Sequence, residues 1–479
     1  MQNYIFSVKK FLRDSAGYSV FDGMGALLRF LFIYIYTRAL PPEDFGLLGV
    51  VYITISLSGV VITSGLPSAA MIRFRDNTTA YKRRLQNSAF SFIFSVNMLV
   101  ILGSVSALLL FRIPIMIREI LPWALLCVLS DTLMKVPEIS IRYSRRIGVY
   151  GSGKVLHLGV MLSSILYFYM NGTLGVCTVV ASEAIGAFSE MVFYYVFDRY
   201  IPSVRNRESL SPLLRLGLPL LGSAAVIFLI DFSDRYLVYS FIGSRANGFY
   251  SAAGKIATAS ALIVKSFNLS WDPYFYRCCS EGRITSNRFH FSGLRVVLLF
   301  SGALSLLMII LPLSVHIEIM GRGFVDSSYA AIQVLIAPLV LAGVFKIVLF
   351  LYTSVLEYNQ KTLSVLKIFC AGVAVNLTGN IIFTVFMKEA DMFVRLKGVA
   401  LMTSAAYLVS GIYAFVSALS YYPEYNRRIG ITAVVLLIAL SVIPFIPVSL
   451  LWKAGAWGVT SIFIFRFYFS KRNLYSFLR

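Results

Sequence analysis

The chain has 479 residues, 58% of them hydrophobic and only 14% charged, with a formal net charge of +21 and a mean hydropathy of +0.78. Soluble domains carry about 25% charged residues, so a soluble globular fold is excluded. Uncharged runs at 85–111, 296–315 and 429–452 each reach the ~20 residues that cross a hydrocarbon core ~30 Å thick, and the chain reads as an all-α polytopic membrane protein.

In chain order, hydrophobic spans are expected at about 15–37, 45–70, 86–111, 120–137, 152–170, 174–197, 212–242, 247–274, 296–315, 330–354, 363–386, 397–420, 429–452 and 454–470. That makes about 14 transmembrane helices. The last is the weakest, because Lys453 and Arg466 crowd it. The first span is too long for the apolar core of a signal peptide and has no small-residue cleavage site behind it, so it reads as a retained helix. Five cysteines, odd in number and in helices or a basic loop, imply no disulfide framework.

Basic residues orient the spans, because cytoplasmic loops are enriched in Lys and Arg. With the N-terminus inside, 28 of the 43 basic residues fall in inside segments and 9 outside. Both termini are therefore expected in the cytoplasm. The same distribution accounts for the positive charge without nucleic acid as a partner. Loops this short leave no room for a soluble catalytic domain, and no P-loop is present. The three histidines, His157, His290 and His316, stand in separate segments, so no metal cluster or other cofactor is expected.

Two interruptions resemble each other: RALPPEDFGLL at 38–48 and GSRANGFYSAA at 243–253. From Gly46 to Arg73 is 27 residues, and from Gly248 to Arg277 is 29. A repeat near 200 residues divides the chain into an N-lobe (1–200, helices 1–6), a C-lobe (201–420, helices 7–12) and two additional C-terminal helices (421–479). Six helices per lobe give both lobes the same orientation, the parallel kind of transporter repeat. In the first interruption, Pro41 and Pro42 end one helix and start the next, with Glu43 and Asp44 at the new N-terminus.

The stretch LLRFLFIYIYTRALPPEDFGLLGVVYITISLSGVVITSGLPSAAMIRF resembles the opening hairpin of bacterial polysaccharide (O-antigen-type) flippases, in the multidrug/oligosaccharidyl-lipid/polysaccharide exporter superfamily. LIDFSDRYLVYSFIGSRANGFYSAAGKIA, 229–257, is similar to that family's helix 7–8 hairpin. The resemblance implies two six-helix lobes around a central cavity, lined by helices 1, 2, 7 and 8.

Five basic residues lie inside spans: Arg29, Arg235, Lys255, Lys265 and Lys346. Each costs about 2.5–3.5 kcal/mol at a helix centre, so they are expected to face partners or a water-filled cavity. Asp22 shares a face with Arg29; Asp231 and Asp234 lie one turn and one residue before Arg235. This cavity set can hold pyrophosphate oxygens. Plainer roles stand beside it: an Asp231–Arg235 pair that neutralises itself, Lys255 and Lys265 reaching opposite ends of helix 8, and Lys346 reaching the inner surface. Asp131 with Lys135 reads as structural.

Glu183 and Glu190, seven apart on helix 6, are candidates for ion coupling or plain burial. Asn376 and Asn380 fit helix–helix hydrogen bonding. Tyr34, Tyr36, Tyr236 and Tyr239 fit interfacial anchors.

The reading is a flippase, not an enzyme, that moves a polyprenyl-pyrophosphate-linked oligosaccharide across the bacterial inner membrane. Membrane lipids and polysaccharide assembly proteins are its expected partners. The alternatives are an organic-cation or drug exporter of the same superfamily, and a membrane-embedded glycan-modifying enzyme.

Overall fold

The computed structural model describes residues 30–73, 79–144, 146–200, 210–280, 287–316, 318–319, 322–359 and 361–421, with a few single positions before and after; side chains at 265–296 are among those it does not describe. Helix α1 covers residues 30–39. There follow α2 (Pro42–Thr63), α3 (Leu66–Arg73), α4 (Thr79–Leu110), α5 (Ile115–Tyr143), α6 (Ile147–Met170), α7 (Val176–Asp198), α8 (Leu210–Phe241), α9 (Ser244–Ser280), α10 (Asn287–Ile310), α11 (Gln333–Tyr358), α12 (Thr362–Ile381) and α13 (Met392–Ala418). A two-residue antiparallel pair, β1 (Glu318–Ile319) with β2 (Arg322–Gly323), is the extent of strand structure among the described residues. Eight helical stretches there are long and apolar enough to cross a membrane. The protein is thus an all-α, multi-pass membrane protein.

Local chemistry sets the breaks. Pro41 is extended and Pro42 opens α2, with Glu43 and Asp44 in the first turn, as the prolines and acids of that stretch predict. The expected single span at 45–70 is instead two helices. Ser64 adopts the left-handed conformation at the end of α2, and Gly65 follows at φ +68°. A side chain on Gly65 would collide with the carbonyl of Gly217 in α8, so the turn needs glycine both for its torsion and for this close approach. A hydropathy window detects neither requirement.

By compactness the chain divides into two units. The first comprises Met1–Leu28 with Arg38–Phe228, and the second Arg29–Thr37 with Leu229–Arg479. In the first, α7 packs between α5 and α6. Glycines make that packing close: a Cβ on Gly186 of α7 would lie 2.6 Å from Cδ2 of His157 on α6, and one on Gly153 would meet the ring of Tyr194. Small residues at such crossings let helix backbones approach. In the second unit, α11 is the central helix, flanked by α9, α10, α12 and α13. Large apolar side chains such as Leu109, Met170 and Phe386 stay exposed, as lipid-facing surface should.

Candidate functional site

In the second unit, α8 carries four polar residues, Asp231, Ser233, Asp234 and Arg235, within one short stretch. The carboxylate of Asp231 lies 2.7 Å from Nζ of Lys346 on α11 and accepts a 2.5 Å hydrogen bond from the hydroxyl of Tyr407 on α13. The ammonium also stands 4.9 Å over the Tyr407 ring. The expected Asp231–Arg235 neutralisation is therefore replaced by a pair across helices, and Lys346 turns to Asp231 rather than to a membrane surface. The pair is not sealed: side-chain exposures are 28% for Asp231 and 20% for Lys346.

Asp234, one turn on, is buried. It accepts hydrogen bonds from Tyr250 of α9 at 2.5 Å and from the backbone N–H of Arg235 at 2.7 Å. Arg235 directs its guanidinium past the ring of Phe232 toward Gly254, where a Cβ would stand 2.8 Å from Nη2. Its buried Nε makes no hydrogen bond among the described residues. Between Asp231 and Asp234, Ser233 donates to Asn376; Asn380 also donates to Asn376, which donates in turn to Thr403. Asn376 thus does bond helix to helix, whereas Asn380 bonds to Asn376 within α12. A planar donor with spare capacity, a displaceable ammonium and a fixed polar network suit recognition of an oxyanion.

Lys255 stacks 4.3 Å over the ring of Tyr36 within the same unit. Tyr36 is buried rather than at an interface, so its expected anchoring role does not hold. Asp22 and Arg29 lie outside the described residues, as does the side chain of Lys265.

The first unit holds a second polar constellation. Nδ1 of His157 is 2.8 Å from Glu190, and Nε2 is 3.5 Å from Glu183. Nζ of Lys154 is 2.7 Å from the other oxygen of Glu190. The two glutamates seven apart do share a face, and that face is directed at a histidine. Lys135 does not settle on Asp131 but on Glu138, at 2.8 Å, and Arg142 reaches the second oxygen of Glu138 at 3.4 Å. At one end of this unit, Asp198 is bound by Arg83 at 3.2 Å and by Arg146.

Sequence reading missed His157, Lys154, Tyr250 and Tyr407. The spacing of Lys154 and His157, three apart on one helix face, was an available signal. The tyrosines had none, because their partners are 16 and 176 residues away.

Comparison with known proteins agrees with this architecture. The model of a polysaccharide biosynthesis protein family matches residues 35–270. Protein 1 of the Lsg locus of Haemophilus influenzae is 22% identical over 342 residues, covering 68% of this chain and 81% of that protein. Among solved structures, the lipid II flippase MurJ in an inward closed conformation superposes with a TM-score of 0.71 at 14% identity, over 95% of this chain and 99% of that one. A multidrug resistance MATE transporter of the MOP superfamily, inward-facing, gives 0.55 at 12% identity over 83% and 95%. Residues 35–270 are therefore similar to the polysaccharide biosynthesis protein family, and the chain has the fold shared by the lipid II flippase and the MATE transporters of the MOP superfamily.

Proposed function

We propose that the protein is a flippase for a polyprenyl-pyrophosphate-linked oligosaccharide, a repeat unit of a surface polysaccharide, in the bacterial inner membrane. The 1–200 and 201–420 lobes rock to alternate access. The glycan and pyrophosphate cross between them while the prenyl tail stays in lipid. Both termini face the cytoplasm, and polysaccharide assembly proteins supply and receive the substrate.

The observation that carries this reading is the half-open Asp231–Lys346 pair beside Arg235. A pyrophosphate cannot enter a low-dielectric core without compensating charge. A bare lysine waiting for it would cost about 2.5–3.5 kcal/mol, and Asp231 removes that cost in the empty protein. An arriving phosphate oxygen then displaces Asp231, whose carboxylate keeps the Tyr407 hydroxyl. Arg235 adds fork-like donors. Asp22, Arg29, Lys255 and Lys265 complete the cavity set.

The test is leaflet exchange of a fluorescent polyprenyl-pyrophosphate oligosaccharide in proteoliposomes. Hydrogen bonds to charged groups contribute about 1.5–3 kcal/mol, so Lys346→Gln and Arg235→Gln should each slow protein-dependent movement about 10- to 100-fold. Asp231→Asn, which leaves Lys346 without its carboxylate, should slow it less than either. Movement unchanged in both cation variants would remove this site. No movement with several glycans, alongside export of a cationic dye, would favour the organic-cation exporter.

A further inference from the structure

Deep in the first unit, both ring nitrogens of His157 face carboxylates, Glu190 at 2.8 Å and Glu183 at 3.5 Å. A neutral imidazole has one N–H and one lone pair. Whichever tautomer it adopts, a lone pair would then point at a carboxylate oxygen. Placing a proton on the second nitrogen, or on the facing carboxyl group, removes that repulsion. The geometry therefore asks for one proton beyond a neutral histidine and two ionised glutamates.

With Arg118 and Glu119 near one end of α5 set apart, and likewise Asp198 with Arg83 and Arg146 at the other end of the unit, a charge tally over α5, α6 and α7 leads to the same number. The carboxylates are Asp131 and Glu138 on α5 and Glu183 and Glu190 on α7; the fixed cations are Lys135 and Arg142 on α5 and Lys154 on α6. One negative charge is left over, and one proton cancels it. The phenols of Tyr150 and Tyr194 are neutral; Tyr194 donates to the carbonyl of Tyr150. Phe21 and Gly25 also pack against α6, and Asp22 between them lies outside the described residues and the tally. An uncompensated buried charge is strongly destabilising, so proton occupancy and helix packing are tied together here.

The two carboxylates are not equivalent. Glu190 is fully buried and held by Lys154, whereas the side chain of Glu183 is 12% exposed. Gly186, one turn from each, leaves the space that the imidazole ring fills.

We propose that His157, Glu183 and Glu190 form a proton-binding site of the first unit, loaded and unloaded during the transport cycle. Lys154 keeps Glu190 ionised as the fixed counter-ion. The exchangeable proton passes from Nε2 of His157 to Glu183 and from there to water, and reloading runs in reverse. This site stands apart from the Asp231–Lys346 constellation and does not depend on which substrate that constellation takes.

The chain has three histidines, few enough for ¹⁵N-imidazole spectra of the full-length protein in nanodiscs. At pH ~7.5 the wild type should show a doubly protonated imidazole that is absent from His157→Gln. In the near-isosteric Glu183→Gln its titration midpoint should fall by about one pH unit or more, since each lost charge partner removes support for the protonated form. A singly protonated His157 at that pH, or a midpoint unmoved by Glu183→Gln, overturns the site. In proteoliposomes, reversing an imposed pH gradient should change the wild-type rate of the tagged oligosaccharide several-fold and leave Glu183→Gln unaffected. A wild-type rate indifferent to the gradient overturns the link to transport. Failure of the probe to move at all counts against the flippase reading, while the spectrum judges the proton site by itself.

Discussion

Gly186 shows what a polar site inside a membrane helix bundle asks of its neighbours. A methyl group there would stand 2.6 Å from Cδ2 and 3.0 Å from the carbonyl oxygen of His157. The ring is held from both sides by carboxylates and cannot swing away, so the backbones of α6 and α7 would have to part. Overpacking of this kind costs about 1–3 kcal/mol. Gly186→Ala should lower the thermal unfolding midpoint of the detergent-solubilised protein and weaken the doubly protonated signal of His157. Gly159→Ala on α6, with open space around its Cβ, should leave both unchanged. Equal effects of the two substitutions would mean that the space beside the imidazole is not specific. At this scale the sequence revealed charges but not their partners. Glu183 and Glu190 were legible because seven-residue spacing shares a helix face. Their histidine was not, because it lies 33 residues from Glu190, and no local rule brings it there. Asp231 and Lys346, 115 apart, were both singled out for being charged within a span, yet only the packing of α8 on α11 shows that they meet.

At the scale of the element, hydropathy located the helices and capping chemistry decided where they stop. The run expected at 120–137 extends over Ile115–Tyr143, through two internal prolines, because polar ends remain helical beyond the apolar stretch. The run at 363–386 ends in a π-helical turn, Ile382–Phe386, which no composition window anticipates. Arg395, which falls between the spans expected at 363–386 and 397–420, is buried here and donates to the carbonyls of Phe383 at 3.1 Å and Thr384 at 2.6 Å. A π turn alters the i→i−4 ladder and frees carbonyls for other donors. An unsatisfied buried acceptor costs about 1–3 kcal/mol, so Arg395→Leu should destabilise the second unit and raise amide exchange across residues 381–394. Lys has one donor centre where Arg offers a fork, so Arg395→Lys should recover only part of the loss. If Arg395→Leu left exchange over this segment unchanged, the turn would be held by the α12–α13 packing alone.

For the whole molecule, the question is which helix ends face which side. The structure supplies a constraint that a count of basic residues lacks. Asp198 at the C-terminus of α7 binds both Arg83, in the first turns of α4, and Arg146, just before α6. Three helix ends that the count of basic residues assigns independently to the inner side therefore meet at one point, which the proposed positive-inside orientation places in the cytoplasm. Antiparallel continuation puts the α6–α7 turn at 171–175 on the opposite side, and the same alternation separates 359–361 from 387–391 in the second unit. This is testable by labelling, after replacement of the five native cysteines. Cysteines introduced at Thr173 and Lys388 should react with a membrane-impermeant maleimide in cells with a permeabilised outer membrane. Cysteines at Ser144 and Asn359 should react only once the inner membrane is broken. Reversed labelling of all four would invert the molecule and place Arg83, Arg146 and Asp198 outside, against the distribution of 28 basic residues to 9. Agreement within one pair and reversal in the other would instead break the expected alternation between the units. The two lobes would then be related by inversion rather than by the parallel repeat, and a cycle built on two like-oriented halves would have to be abandoned.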